Sequence, residues 1–392
     1  MGMTSRIVKS LLVVAFSCFA LLFSPKLLAN ETPTEGENKT VEHKTEEKID
    51  PAKIILEHVA DAHDFHFFTI NGEHYSIPLP VVLYSKETGL SVFMSSAFHH
   101  GHETHNGFRL LTEEFAKEKG LDTQKDAKGQ PVYELSKIYA VGEDGMPKLE
   151  TAIYDFSLTK NVVQILLTMI LLVFLMLKVA KSYAKGVGVT SAPTGFQNAV
   201  EPVITFVRDE VAKPNLGHKY KAFMPFLLTT FFFILINNIV GLIPGTANVT
   251  GNIAFTAMLG LVSFIVILLN TNKHFWSHIF NPPVPMGVKP IMIPVEFLGI
   301  FTKPFALIIR LFANMISGHI IILSFICLIF IFSAMNTALG WGTSPFFVLL
   351  SVFIYLIEVM VAFLQAFIFT NLTAVFIGQA FEGEHHSEEA HH

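Results

Sequence analysis

The chain has 392 residues, of which 51% are hydrophobic and 15% charged, with 38 phenylalanines and a formal net charge of −5. That balance argues against an ordinary soluble enzyme; the modest net charge says less than its distribution, since the ends hold most of the acid, and no nucleic-acid partner is expected. The two cysteines, Cys18 and Cys327, both lie in apolar runs, which argues against a disulfide framework or a thiolate metal site.

Residues 1–29 read as a secretory signal peptide. Arg6 and Lys9 form a basic start, "LLVVAFSCFALLF" (11–23) is the apolar core, and Ala29 is a small residue at the cleavage point. The alternative is an uncleaved anchor, although the core is short for a span of about 20 residues. Either way the next segment lies outside the cytoplasm. Residues 30–50 are polar and charged and read as a disordered linker.

Residues 51–155 predict a small extracytoplasmic α+β domain. "HFFTINGEHYSIP" alternates around Asn71-Gly72, a hairpin signal. "VVLYS" and "LSVFMSS" read as strands and "GFRLLTEEFAKEKG" as a short helix. The domain holds many histidines, including the run "HHGHETH". Metal binding and a solvated polar surface both remain open. The run lacks firm ligand spacing and a cysteine partner, so no metal site is assigned.

A membrane region, 156–381, follows. "NVVQILLTMILLVFLMLKVA" (161–180), "AFMPFLLTTFFFILINNIVGLI" (222–243) and "GNIAFTAMLGLVSFIVILLN" (251–270) are three spans of the length a bilayer needs. Two longer apolar segments follow, about 290–332 and about 345–381. A helix of ~40 residues reaches roughly 60 Å, twice the hydrocarbon thickness. Either Pro294 and Pro304 break the first, or these helices tilt steeply, pack as a hairpin and face something large. The predicted fold class is mainly α: a polytopic membrane protein of about five membrane helices plus the small α+β domain.

Lys and Arg concentrate in the loops 181–221 and 271–289, and the turns "PGTANVTG" and "SAMNTALGWGTSP" have none. The asymmetry predicts both basic loops and the C-terminus in the cytoplasm. Residues 382–392 are an acidic, histidine-rich cytoplasmic tail.

The stretch "FTKPFALIIRLFANMISGHIIILSFICLIFIF" (301–332) carries Lys303, Arg310, Asn314 and His319. An arginine at the centre of a bilayer costs about 2.5–3.5 kcal/mol on insertion scales. On a helix, Lys303, Ala306, Ala313, Asn314 and Ser317 fall within about 60° of Arg310, and His319 lies opposite. Small neighbours allow close approach by another helix. A guanidinium keeps its proton, so Arg310 is a fixed cation and no relay. The stretch 303–319 supplies no carboxylate on that face, so the counter-charge of Arg310 comes from another subunit; the alternative is a side chain snorkelling to the headgroups. In the final helix Glu358 and Gln365 are seven apart, on one face. A Glu358–His319 pair passes protons near neutral pH, or is a static interhelical pair. Gln365 and Asn314 are open to ordinary interhelical hydrogen bonding, and Lys303 is most simply an interfacial anchor.

The motifs "KPFALIIRLFANMISGHIIIL", "LQAFIFTNLTAVFI", "RDEVAKPNLG", "PFLLTTFFFILINNIVGLIPG" and "IPVEFLGIFTKPF" together resemble subunit a of the F-type ATP synthase, over about 155–381. The signal peptide and long extracytoplasmic domain resemble the form in Bacteroidetes-like Gram-negative bacteria. The resemblance implies a non-catalytic, multi-pass inner-membrane subunit with a periplasmic N-terminal domain. It implies no cofactor, and as partners a c-subunit ring, peripheral-stalk b subunits, other ATP synthase subunits and lipid. Arg310 matches the family's arginine that faces the c-subunit carboxylate. His319 and Glu358 match positions that carry His and Glu in complementary fashion. Gln365 matches a glutamine near the arginine, Asn314 a polar residue near the proton path, Glu296 an acidic residue of the cytoplasmic exit path, and Asn238 an asparagine of the second span. Ala306 stands where some members carry serine. The implied mechanism has two half-channels, with rotation of the ring between protonation and deprotonation. The competing readings are a proton-coupled secondary transporter, against which the chain shows no internal repeat, and a scaffold of a respiratory complex.

Overall fold

In a computed structural model, the described residues are 61–381 apart from 71–72, 122, 125–131, 143, 150, 189–190, 194, 244–245 and 283–284. The signal peptide, the linker, residues 51–60, the Asn71-Gly72 turn and the acidic tail lie outside them.

The first part of the described chain, up to Asp155, is built mainly of short strands. β1 (Asp64–Ile70) and β2 (Glu73–Pro78) pair antiparallel across the expected turn, with Ile70 opposite Glu73. β3 (Pro80–Ser85) and β4 (Gly89–Met94) form the next hairpin, and β8 (Ile153–Asp155) pairs with the other edge of β3. Gly89 closes that hairpin at φ 74, a backbone state that favours glycine. Alternation on β3 sends Val81 and Leu83 inward, where they are fully buried. They pack on Phe98, on Phe108 of β5 (Phe108–Leu110), and on Ile138 and Ala140 of β6 (Ile138–Val141). β7 (Pro147–Lys148) completes the second three-stranded sheet. The expected helix is shorter than "GFRLLTEEFAKEKG": its start is β5, and only α1 (Glu113–Glu118) is helical, capped by Thr112.

His63 and Asp155 tie the start of this domain to its last strand. His63 is 8% exposed, and its Nε2 lies 3.1 Å from Asp155 Oδ2. Burial alone raises the Asp155 carboxyl, but hydrogen bonds from His63 and from the side chain and backbone amide of Ser157 outweigh it and hold it below the usual range. Strand pairing then continues past β8. Phe156 N donates to Val82 O (2.9 Å) and Leu158 N to Pro80 O (3.1 Å), and the first long helix begins two residues on.

That helix is α2 (Lys160–Ala184). α3 (Phe196–Phe206), a π-helical turn (Val207–Ala212) and α4 (Lys213–Leu216) come next. α5 (Tyr220–Gly241), α6 (Ile253–Leu269), the short α7 (Lys273–Phe280), α8 (Lys289–Met335) and α9 (Thr337–Phe381) complete the chain. Among the described residues four helical stretches are long and apolar enough to cross a membrane: Lys160–Ala184, Phe196–Gly241, Lys289–Met335 and Thr337–Ala380. Apolar α6 has 17 residues, at the lower limit for a span. This is a polytopic α-helical membrane protein with a small α+β domain.

One expectation changes, and of two alternatives one holds. The charged stretch 181–221 is largely folded: Asp209 pairs with both Arg208 (2.8 Å) and Lys213 (2.7 Å) on the π turn and α4. The prolines do not interrupt α8. Pro294 and Pro304 sit inside one continuous 47-residue helix, and Pro304 is buried beside the packed turn of Leu307 and Leu311. At Pro304, packing against neighbouring helices offsets the missing amide bond, whereas Pro294 is exposed.

The membrane core is aromatic. Phe231 of α5 meets Phe363 of α9 edge-on at 5.7 Å, and Phe206 of α3 packs against Phe363 and Phe367. Gly378 lets α4 approach closely, because a side chain there would run into the carbonyl of Asn215.

Candidate functional site

α8 and α9 are separated by one non-helical residue, Asn336, and run antiparallel. Ser333 lies against Gly340 near the turn, Glu358 lies against Gly318 further down, and Lys303 Nζ donates to Gln379 Oε1 (3.0 Å) near the far end. This register sets His319 level with Glu358 and brings Arg310 within about one turn of Gln365. The pairing therefore follows from helix length and a tight turn, since side chains eight to nine residues apart on α8 meet two different heights of α9.

Glu358 is buried, at 7% exposure. Its carboxyl occupies the space that a side chain at Gly318 would need. Its Oε2 has no hydrogen-bond partner among the described residues. His319, half-buried, follows Gly318 directly. One turn beyond Glu358, the carbonyl of Ala362 accepts from Asn238 Nδ2 of α5 (3.2 Å), and the other amide atom of Asn238, Oδ1, is buried without a partner among the described residues. Gln365 is 5% exposed, on the same side of α9. The fully buried Ala362 and Ala366 are what allow α5 to come this close.

Arg310 faces the other way. With Ala306, Ala313 and Ser317 it lies on an exposed stripe of α8, flanked by Phe305 and Ile309. Among the described residues nothing hydrogen-bonds or ion-pairs with its guanidinium. Asn314 is half-buried beside the stripe, and its carbonyl accepts from Ser317 Oγ (3.2 Å). Lys303 is more than an anchor, because besides its bond to Gln379 it stacks over Phe376 at 5.2 Å. Glu296 is not part of the cluster. It lies fourteen residues before Arg310 on the same helix, about 21 Å along the axis.

The structure adds polar residues that the sequence reading passed over. Thr168 of α2 donates to Asn237 Oδ1 (3.1 Å). Gln164 Oε1 accepts from Ala247 N (2.9 Å), and Asn248 Nδ2 donates to Met315 O (3.3 Å), one turn before His319. All are buried. A lone amide in an apolar span is itself a signal, and Gln164 in "NVVQILLTM" carried it. Gly318 had no such signal, because its role appears only once α9 is packed.

The chemistry divides in two. Towards the inside of the helix bundle are titratable and amide groups, Glu358, His319, Asn238 and Gln365. On its outside is a cation that cannot lose its proton, set among small side chains.

Comparison with known proteins shows the family. Residues 162–378 match the family described as ATP synthase A chain, and residues 54–156 match a domain of unknown function. The chain is 46% identical over 250 residues to a protein named ATP synthase subunit a from Chloroherpeton thalassium, covering 63% of this chain and 73% of that one. It is 45% identical to ATP synthase subunit a 2 of Chlorobaculum tepidum, covering 61% and 67%. It is 41% identical to ATP synthase subunit a of Chlorobium phaeobacteroides, covering 64% and 74%. The apolar helices, the α8–α9 hairpin and these matches together mean that the chain belongs to the ATP synthase A chain family, subunit a of the ATP synthase.

Proposed function

We propose that this chain is the proton-translocating stator subunit of an F-type ATP synthase, and that Arg310 mediates proton release from a carboxylate on a ring of c subunits. The single observation that carries the reading is the division of charge across α8. Arg310 is exposed on α8 and no carboxylate among the described residues pairs with it, whereas Glu358 is buried against Gly318. A cation in lipid is stable only beside an anion, and the anion that fits arrives from a neighbouring subunit. A protonated carboxylate brought next to Arg310 is favoured in its ionised form, so it gives up its proton there.

Two half-channels serve the exchange. Protons reach the ring from the extracytoplasmic side past Glu358, His319 and Asn238. They leave to the cytoplasm along a path that includes Glu296. Gln365 and Asn314 position water or side chains near Arg310. Each charge crossing 100 mV delivers about 2.3 kcal/mol, so several cross per ATP. The permanent charge of Arg310 repels a hydrated proton and prevents direct leakage. The chain itself makes no covalent bond and holds no cofactor. Its partners are the c ring, peripheral-stalk b subunits and lipid. It lies in the bacterial inner membrane, its N-terminal domain periplasmic and its C-terminus cytoplasmic.

The test is Arg310→Lys in the assembled complex. ATP-driven acidification of inverted vesicles falls to background while the subunit still assembles. Normal pumping by the variant removes the proposal.

A further inference from the structure

The outward side of the β4-β3-β8 sheet has no function in the scheme above, and its composition is unusual. Backbone pairing sets it out in rows. Val92, Val82 and Phe156 form the middle row, and Leu90, Tyr84 and Tyr154 the row nearer the Lys86-Glu87 turn. The row nearest α2 is Met94, Pro80 and Leu158. None of these positions is charged. Leu90, Val92 and Phe156 are 67%, 62% and 66% exposed, while Val81 and Leu83 on the opposite side of the sheet are fully buried. A sheet with one face in water alternates apolar with polar; here the outward face is apolar, although Val81 and Leu83 already face the core on the other side.

Two observations identify what covers it. The first is position. Leu158 is still hydrogen-bonded to β3, and α2 starts at Lys160, so the first row lies within about 7 Å of a membrane-spanning helix. α2 itself turns Leu167 (60%) and Ile170 (67%) outward, a surface suited to lipid. The second is a gradient. The rows nearest α2 are purely apolar. The phenol hydroxyls of Tyr84 and Tyr154 come about 13 Å further along the strands, and the charged turn lies beyond them. Hydrocarbon, aromatic belt and water follow in that order at a bilayer surface. Besides the two phenols the face offers no side-chain hydrogen-bonding group, whereas protein interfaces carry about one hydrogen bond per 100–200 Å².

We propose that this sheet face lies on the lipid surface that α2 enters, with Phe156, Val82 and Val92 at the acyl boundary and Tyr84 and Tyr154 at headgroup level. The test uses the full chain in phosphatidylcholine vesicles, with Trp276→Phe and Trp341→Phe to silence the native tryptophans. Val92→Trp supplies a reporter, and Phe156→Trp a second that only exchanges one aromatic for another. Brominated acyl chains reduce the emission of both at least twofold, and leave Glu87→Trp, on the charged turn, nearly unchanged. Emission open to aqueous acrylamide and indifferent to bromine overturns the proposal. Emission shielded from both quenchers only in the assembled ATP synthase overturns it too, and makes the occupant a protein.

Discussion

The carboxyl of Glu358 fills the space beside Gly318 that any side chain at that position would need. One buried acid is thus seated by the absence of a methyl group on the facing helix. Gly318→Ala forces Glu358 out of its seat without removing a titratable group. ATP-driven proton pumping in inverted vesicles is expected to fall at least tenfold. Glu358→Asp in the same chain, shorter by one methylene, should restore part of it. Full activity of Gly318→Ala would mean that the seat has no bearing on transport.

His319 and Glu358 stand at one level of the hairpin, so their order along the path matters less than their joint presence. Glu358→Ala and His319→Ala each slow pumping by about a hundredfold, at the lower end of general acid–base contributions. The exchange His319→Glu with Glu358→His is expected to retain more activity than either loss. Vesicle acidification rates for the three variants decide it; equal loss in all three assigns the pair a purely structural role.

Gly378→Ala probes packing alone. Its new methyl group meets the backbone carbonyl of Asn215, which cannot swing away as a side-chain tip does. The variant should lose about 1–3 kcal/mol, the usual cost of overpacking. Thermal unfolding of the purified subunit in detergent measures it. A methyl group at Gly287, with open space around it, serves as the control.

The His63–Asp155 tie depends on pH in a definite direction. The folded carboxyl titrates below its ordinary value, so its contribution is present above about pH 4 and is lost as pH falls through the depressed value. Asp155→Asn removes that dependence and costs about 1 kcal/mol, a modest figure because the carboxylate is partly solvated. Amide exchange at Ile153–Ser157 between pH 3 and 6 reports both. Identical acid sensitivity of wild type and Asp155→Asn would assign the loss to other carboxylates.

Much of the membrane region was legible because a bilayer imposes a length. The runs 161–180, 222–243 and 251–270 became α2, α5 and α6 with ends shifted by a few residues. The hairpin strands around residues 71–72 were legible from alternation. The helix in 196–216 was not, because its charges read as a loop and only the Arg208–Asp209–Lys213 pairing accounts for them. The continuity of α8 through Pro304 depends on neighbours that a local rule does not see. In the site, Arg310, His319 and Glu358 stood out because charge in lipid is costly. Gly318, Asn248 and Asn237 did not, since their contacts join segments far apart in the chain.

The one-residue break at Asn336 has a mechanical result. Two rods joined almost without a hinge and zipped along their lengths have little torsional slack. A sideways load on the Arg310 edge of α8 would pass into α9, and from there into α5 through the contacts of Phe363 with Phe231 and of Ala362 with Asn238. The hairpin resists as a single beam, and its stiffness comes from having so little chain at the corner.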